Sequence, residues 1–395
     1  MLNSVVRATA WYEGALILLP GLFCLLLGIA LPTSGLYYQL IIVLLWLPTL
    51  YLLVRQRQNW PNWFSPLMSV LTLFFAWAML SSLWSNSDEP GRDIKHALMI
   101  YLTLWAGVLL ADIERRWLVY LLVTSCYVMA GLAAISLYTT YIFHGLPMSV
   151  RLASFWQLSH SILAAHVFGF FLIVLLYFRP AGLIRQSAWC VALLLLAAFV
   201  FFTQSRGVWL AVGAGLVFTA IFKRERIYAL AVLVGIAASA LVVVLRPELM
   251  TGRGLSYRPE LVFEGLSLMS LHPLGGHGIG GAYSLTLDST GKVFDHPHNL
   301  FLSVGLDLGG IGLSLWVVIW GLLLLTAWRN RHSALGGALL GVWCFTSVAC
   351  LTDGADIWSK PREVWFLSWI PLTLALSLGA TKSRAQALPQ RQSDA

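Results

Sequence analysis

The stretch FDHPHNLFLSVGLDLGGIGLSLWVVIWGLLLLTA, residues 294–327, passes from polar to almost wholly apolar within a few positions. From Leu300 to Ala327 its only charged residue is Asp307. A helix crosses the hydrocarbon core of a bilayer with about 20 mainly apolar residues, so this run is long enough to span. The same pattern recurs outward in both directions. Apolar runs lie near 12–31, 36–54, 64–84, 94–111, 117–143, 159–178, 188–204, 207–222, 227–245, 300–327, 334–351 and 363–380. Twelve spans of about 20 residues use roughly 240 positions. That agrees with a chain of 395 residues that is 59% hydrophobic.

Charged residues make up 11% of the chain and mean hydropathy is +0.79. A soluble domain carries about 25% charged residues, so a soluble enzyme, a disordered chain and a secreted disulfide scaffold are all excluded. The expected fold is an all-α integral membrane protein of about 12 transmembrane helices, in one domain. Trp11, Trp60, Trp63, Trp84, Trp117 and Trp328 stand at the ends of apolar runs, as aromatic belts at membrane interfaces do. The five cysteines form no CxxC pair, so neither a disulfide framework nor a metal knuckle is expected. Ala8-Thr9-Ala10 precedes the first apolar run instead of following it, so a cleavable signal peptide is not expected.

The net charge of +8 reports topology before it reports nucleic-acid binding, and no nucleic-acid partner is expected. With the N-terminus in the cytoplasm, the cytoplasmic side collects 15 of 25 basic residues and 5 of 17 acids, a net of +10. An even number of spans then returns the C-terminus inside, and the last residues, 382–395, read as a disordered cytoplasmic tail. The one long hydrophilic segment, about 247–299, falls on the opposite side. Loops beyond about 12–15 residues are usually functional or disordered, and this one is not of low complexity. It holds four of the nine histidines, and LVFEGLSLMSL at 261–271 reads as an amphipathic helix.

Several residues there and nearby can carry chemistry. Arg206, in TQSRG at 203–207, opens a span on the outer side, where the positive-inside rule gives no reason for an arginine. It either snorkels to the interface or clamps an anion with its bidentate fork, helped by the start of the following helix. Arg258 either pairs with Glu260 or Glu264 or serves the same anion. Arg253, in a glycine-flanked turn, is a weaker candidate. Two or three outward arginines suit a diphosphate. His298 stands at a loop-to-helix junction fixed by Pro297, where an imidazole acts either as a general base or as a satisfied interface residue. Asn299 orients it or caps the helix. His296 and Asp295 join His298 in a possible metal set, although the spacing fits no compact zinc pattern. Asp295 or Asp353 is a further carboxylate that can share the base role. The glycines of HPLGGHGIGG at 272–281 read as a turn re-entering the membrane; their order is wrong for a nucleotide loop. Buried carboxylates are too few for a proton path, which argues against a transporter.

His298-Asn299, nine residues, Gly309, two residues and Gly312 resemble the histidine signature of bacterial O-antigen ligases. TQSRG with Arg206, and Arg258 followed by HPLGGHG at 272–278, resemble the outer arginine elements of the wider ligase and polymerase superfamily. The three elements come in the family's order. The resemblance implies a GT-C type glycosyltransferase of the bacterial inner membrane whose large loop, with short helices, and active site are periplasmic. It implies undecaprenyl-diphosphate-linked O-antigen as donor and lipid A–core oligosaccharide as acceptor, within a membrane lipid environment. It further implies inversion at the anomeric carbon and no metal, nucleotide or other cofactor. His298 would be the catalytic base, and Arg206 and Arg258 would hold the diphosphate. A polymerase or a protein O-oligosaccharyltransferase of the same superfamily, or a lipid-linked saccharide transporter, are the competing readings. The single large loop favours the ligase.

Overall fold

The computed structural model describes residues 15–56, 64–111, 113–226, 257–354 and 356–379, with isolated positions between 228 and 244. Arg253, the tail at 382–395 and most of the span expected at 227–245 lie outside the described residues. The chain is a predominantly helical membrane bundle. Among the described residues, seven helices are long and apolar enough to cross a bilayer: α2 (Ser34–Arg55), α4 (Pro90–Leu110), α5 (Arg115–Phe143), α7 (Leu183–Phe202), α8 (Arg206–Lys223), α10 (Leu300–Arg329) and α11 (Ala334–Thr352). Four shorter apolar helices stand at other expected spans: α1 (Leu19–Ala30), α3 (Pro66–Ser81), α6 (Ser161–Leu176) and α12 (Glu363–Leu378). The apolar stretch 188–222 is two helices, separated by the turn Thr203-Gln204-Ser205 with Gln204 at φ +52°.

The long loop carries α9 (Arg258–Leu271) and a minimal antiparallel hairpin, β1 (Leu285–Thr286) against β2 (Val293–Phe294). Leu261, Leu285 and Leu287 form its small core. The helix expected at 261–271 is present, but its apolar residues are not confined to one face. Leu261 and Gly265 are buried, whereas Phe263, Leu266 and Leu271 are exposed.

Hydrocarbon chains solvate leucine as well as another helix does, so close packing and polar contacts hold such a bundle together. An aromatic group under the loop does much of this. Phe74 of α3 stacks on Trp358, and Trp316 of α10 meets Trp369 of α12 edge-on. Trp369 Nε1 donates to the Ile357 carbonyl (2.9 Å) and Trp365 Nε1 to that of Ser359 (3.1 Å). These bonds fix the segment between α11 and α12, which carries Asp353, Asp356 and Arg362.

α10 is broken. Its 30 residues would reach about 45 Å, half as long again as the hydrocarbon core is thick. Gly309 leaves the helical range at φ +66°, ψ −169°, which divides the helix into an upper part, from Leu300, and a lower part long enough to span. Backbone groups freed at a break in a buried helix must be paired again. The turn at 272–278 pairs them: His277 and Gly278 N–H donate to the carbonyls of Leu306 and Asp307 (both 2.8 Å), and Gly310 N–H donates to that of Pro273 (2.8 Å). Trp77 Nε1 takes the Leu308 carbonyl (3.0 Å). The glycine-rich turn is therefore a plug in a broken helix.

Candidate active site

His298 follows Pro297 and adopts φ +49°, a left-handed conformation uncommon for a residue with a side chain. Asn299 returns to extended geometry and caps α10: its Oδ1 accepts from Leu302 N–H (3.1 Å), and its Nδ2 donates to the Leu351 carbonyl (3.4 Å) of α11. The cap thus ties the start of α10 to the end of α11. There Asp353, 7% exposed, meets the His298 ring, with Oδ1 3.2 Å from Nδ1.

The ring contacts form a chain whose protons can be placed. His296 Nδ1 lies 2.6 Å from Asp295 Oδ1, and His296 Nε2 lies 3.2 Å from His298 Nδ1. Carboxylates only accept, so each Nδ1 carries the proton and donates to its own carboxylate. His298 Nε2 is then left with the lone pair, on a side chain that lines a cavity of about 280 Å³. The hydrogen bond from His296 lowers the Asp295 carboxyl. For Asp353, burial works upward, but the His298 bond, the nearby His166 and the Gly354 N–H (2.9 Å) outweigh it and hold the carboxyl well below the usual range. Asp353 thus stays an anion, able to orient the ring and to balance its charge when protonated. Asp295 is largely exposed and serves only His296.

The arginines approach the same end of the bundle without lining that cavity. Arg206 is half-buried at the first turn of α8. The turn before it is held from the 148–152 loop: Arg151 Nε donates to the Thr203 carbonyl (2.8 Å) and Gln204 Nε2 to that of Ser149 (2.9 Å). Gly207 lets α8 lie against α11, since a Cβ there would stand 2.9 Å from Thr352 Oγ1, beside Asp353. Arg258 begins α9, and its Nε is buried without a hydrogen-bond partner among the described residues. It forms no ion pair with Glu260, whose carboxylate takes the Ser289 hydroxyl (2.6 Å) and N–H (3.0 Å) instead. A buried donor without an acceptor costs about 1–3 kcal/mol, a cost that an anionic ligand would relieve. Both Arg258 and Asp353 lie close enough to His166 for their charges to act on its ring.

Sequence reading missed His160, His166, Asp356, Arg362 and Glu363, which also line the cavity. They come from α6 and its N-cap and from the segment that leads into the first residue of α12, far from the histidine motif along the chain. The one available signal was His166 itself, since Ser161 and His166 are the only polar residues of α6. Among the described residues no group of three or more histidine, cysteine or acidic side chains is arranged to hold a metal ion. His272 and His277 lie apart from the pair: their rings meet edge to face, and His277 Nδ1 is 3.0 Å from the Leu306 carbonyl.

Comparison with known proteins gives this end of the bundle a lineage. Residues 191–317, which include Arg206, Arg258 and His298, match the family model described as O-antigen ligase. An O-antigen ligase of Pseudomonas aeruginosa is 33% identical over 350 residues, covering 87% of this chain and 85% of the relative. At that identity, over nearly the whole of both proteins, the chain belongs to the O-antigen ligase family.

Proposed function

We propose that this protein transfers a finished glycan from undecaprenyl diphosphate to a sugar hydroxyl of lipid A–core oligosaccharide, at the periplasmic face of the bacterial inner membrane. The observation that carries the reading is the His298–Asp353 pair on the cavity wall, with an imidazole lone pair left for a substrate. His298 Nε2 takes the proton of the acceptor hydroxyl, and that oxygen attacks the anomeric carbon of the donor sugar from the face opposite the diphosphate. The new C–O bond forms as the bond to the diphosphate oxygen breaks, so the configuration inverts. The negative charge left on the departing diphosphate falls to Arg206 and Arg258, aided by the start of α8. Such a leaving group needs charge stabilisation more than a proton, and its own ester bond drives the transfer, so no nucleotide is required. Asp353 plays the part of the buried carboxylate in other base-catalysed transfers: it fixes the ring's tautomer and stays ionised.

A donor with a long prenyl chain keeps its tail in lipid, and the site accordingly lies at the end of a helix bundle. Purified protein in nanodiscs, supplied with undecaprenyl-diphosphate glycan and lipid A–core, with EDTA and without ATP, tests the reading by gel mobility. The expected product is a glycan ladder shifted onto lipid A–core. Longer lipid-linked glycan without transfer to the core would identify a polymerase. No new bond with any donor would leave a lipid-linked saccharide transporter.

A further inference from the structure

Resting on that reading, we infer that the cavity beneath His298 is the subsite for the acceptor sugar, and that His166 is a hydrogen-bonding group inside it. His166 is 2% exposed, and its Nε2 has no hydrogen-bond partner among the described residues. It lines the cavity that His298 and Asp353 also line. The following positions of α6, from Val167 to Leu176, are all apolar or glycine and all buried. An imidazole in such a run does no packing work that a leucine would not do better, whereas an open ring nitrogen on a cavity wall awaits a polar ligand.

The lining of the cavity chooses between the two substrates. Arg206 and Arg258 are not part of it. Asp353, Asp356 and Glu363 are, and the one arginine present, Arg362, is engaged with Glu363 at 3.2 Å. Carboxylates repel a diphosphate but accept hydrogen bonds from sugar hydroxyls. Apolar side chains such as Leu163 and Leu367 supply a surface for the C–H face of a sugar ring. At about 280 Å³ the space lies just below the roughly 300–1,000 Å³ of drug-sized pockets, suited to a terminal sugar and not to a polysaccharide chain. The base belongs beside the hydroxyl that it deprotonates. The donor's diphosphate is held outside the cavity, at the arginines, so the cavity is left to the acceptor.

The test is steady-state transfer by the full chain in nanodiscs, varying lipid A–core and lipid-linked glycan separately. His166→Ala is expected to raise KM for the acceptor about tenfold or more, the equivalent of losing one good hydrogen bond. KM for the donor and binding of the lipid diphosphate should move far less than KM for the acceptor. His166→Gln, which returns a polar group near the position of Nε2, should recover part of the loss. A raised donor KM with an unmoved acceptor KM, or unchanged values for both, would overturn the assignment. Should the alanine variant fail to fold, Leu163→Phe, which narrows the cavity and leaves His166 in place, carries the same expectation and the same refutation. Wild-type protein that transfers nothing to lipid A–core would instead refute the ligase reading, an outcome distinct from an active enzyme with an unmoved acceptor KM.

Discussion

His298 is useful because of what its two nitrogens do. Nδ1 is committed to Asp353 and His296, which leaves Nε2 for a proton. Asp353→Asn keeps the size of the side chain but offers an amide that can hold the ring in the wrong tautomer. Transfer is expected to fall by on the order of 10²–10⁴-fold, with donor affinity unchanged, in steady-state assays. The same carboxylate has a signature in stability. Its titration is depressed in the folded protein, so its contribution is present above the ordinary aspartate value of about 3.9 and is lost as pH falls through the lower folded value. The melting temperature of wild type over Asp353→Asn should therefore show an advantage that persists from neutral pH down to about pH 5 and shrinks only below about pH 4. An advantage already lost at pH 6 would contradict the assignment. Arg206→Lys replaces a planar fork with a point charge, and loss of transfer with weakened donor binding is expected. The sequence singles out Arg206 as an arginine on the outer side, Arg258 as a second arginine in the long loop, and His298 as a histidine at a loop-to-helix junction after Pro297. The pairing of His298 with Asp353 was not legible there. It spans 55 positions and depends on Asn299 tying α10 to α11, which no local pattern encodes.

At the scale of elements, the broken α10 places His298. Gly309 lies in a region of backbone space open essentially to glycine alone, and a Cβ there would run into the Leu274 carbonyl. Gly309→Ala is expected to cost about 3 kcal/mol or more and to abolish transfer. Gly321→Ala, further along the same helix where a Cβ meets open space, should stay within about 1 kcal/mol of wild type. Thermal unfolding of both variants in the same detergent checks the contrast, and equal shifts would refute the plug. That residues 272–278 form a turn could be read from their glycines, and the apolar helices from their length. What the turn docks against could not, because the partners are main-chain groups of α10 that any sequence would supply.

Over the whole molecule, composition settles the class: too few charges for a soluble surface and apolar runs long enough to cross a bilayer. It does not show where polar groups from separate spans converge. α6, α8, α10 and α11 each bring one or two polar residues to the same end of the bundle, and the aromatic group around Trp358 and Trp369 fixes the segment that completes the cavity. The claim that joins these features is that this end deprotonates an acceptor while the arginines hold a diphosphate. It is tested most directly by measuring, for His298→Ala in nanodiscs, single-turnover transfer to lipid A–core alongside binding of the lipid-linked donor. Donor binding is expected within about twofold of wild type, with transfer slower by about 10²–10⁴-fold. Transfer at the wild-type rate would contradict this claim.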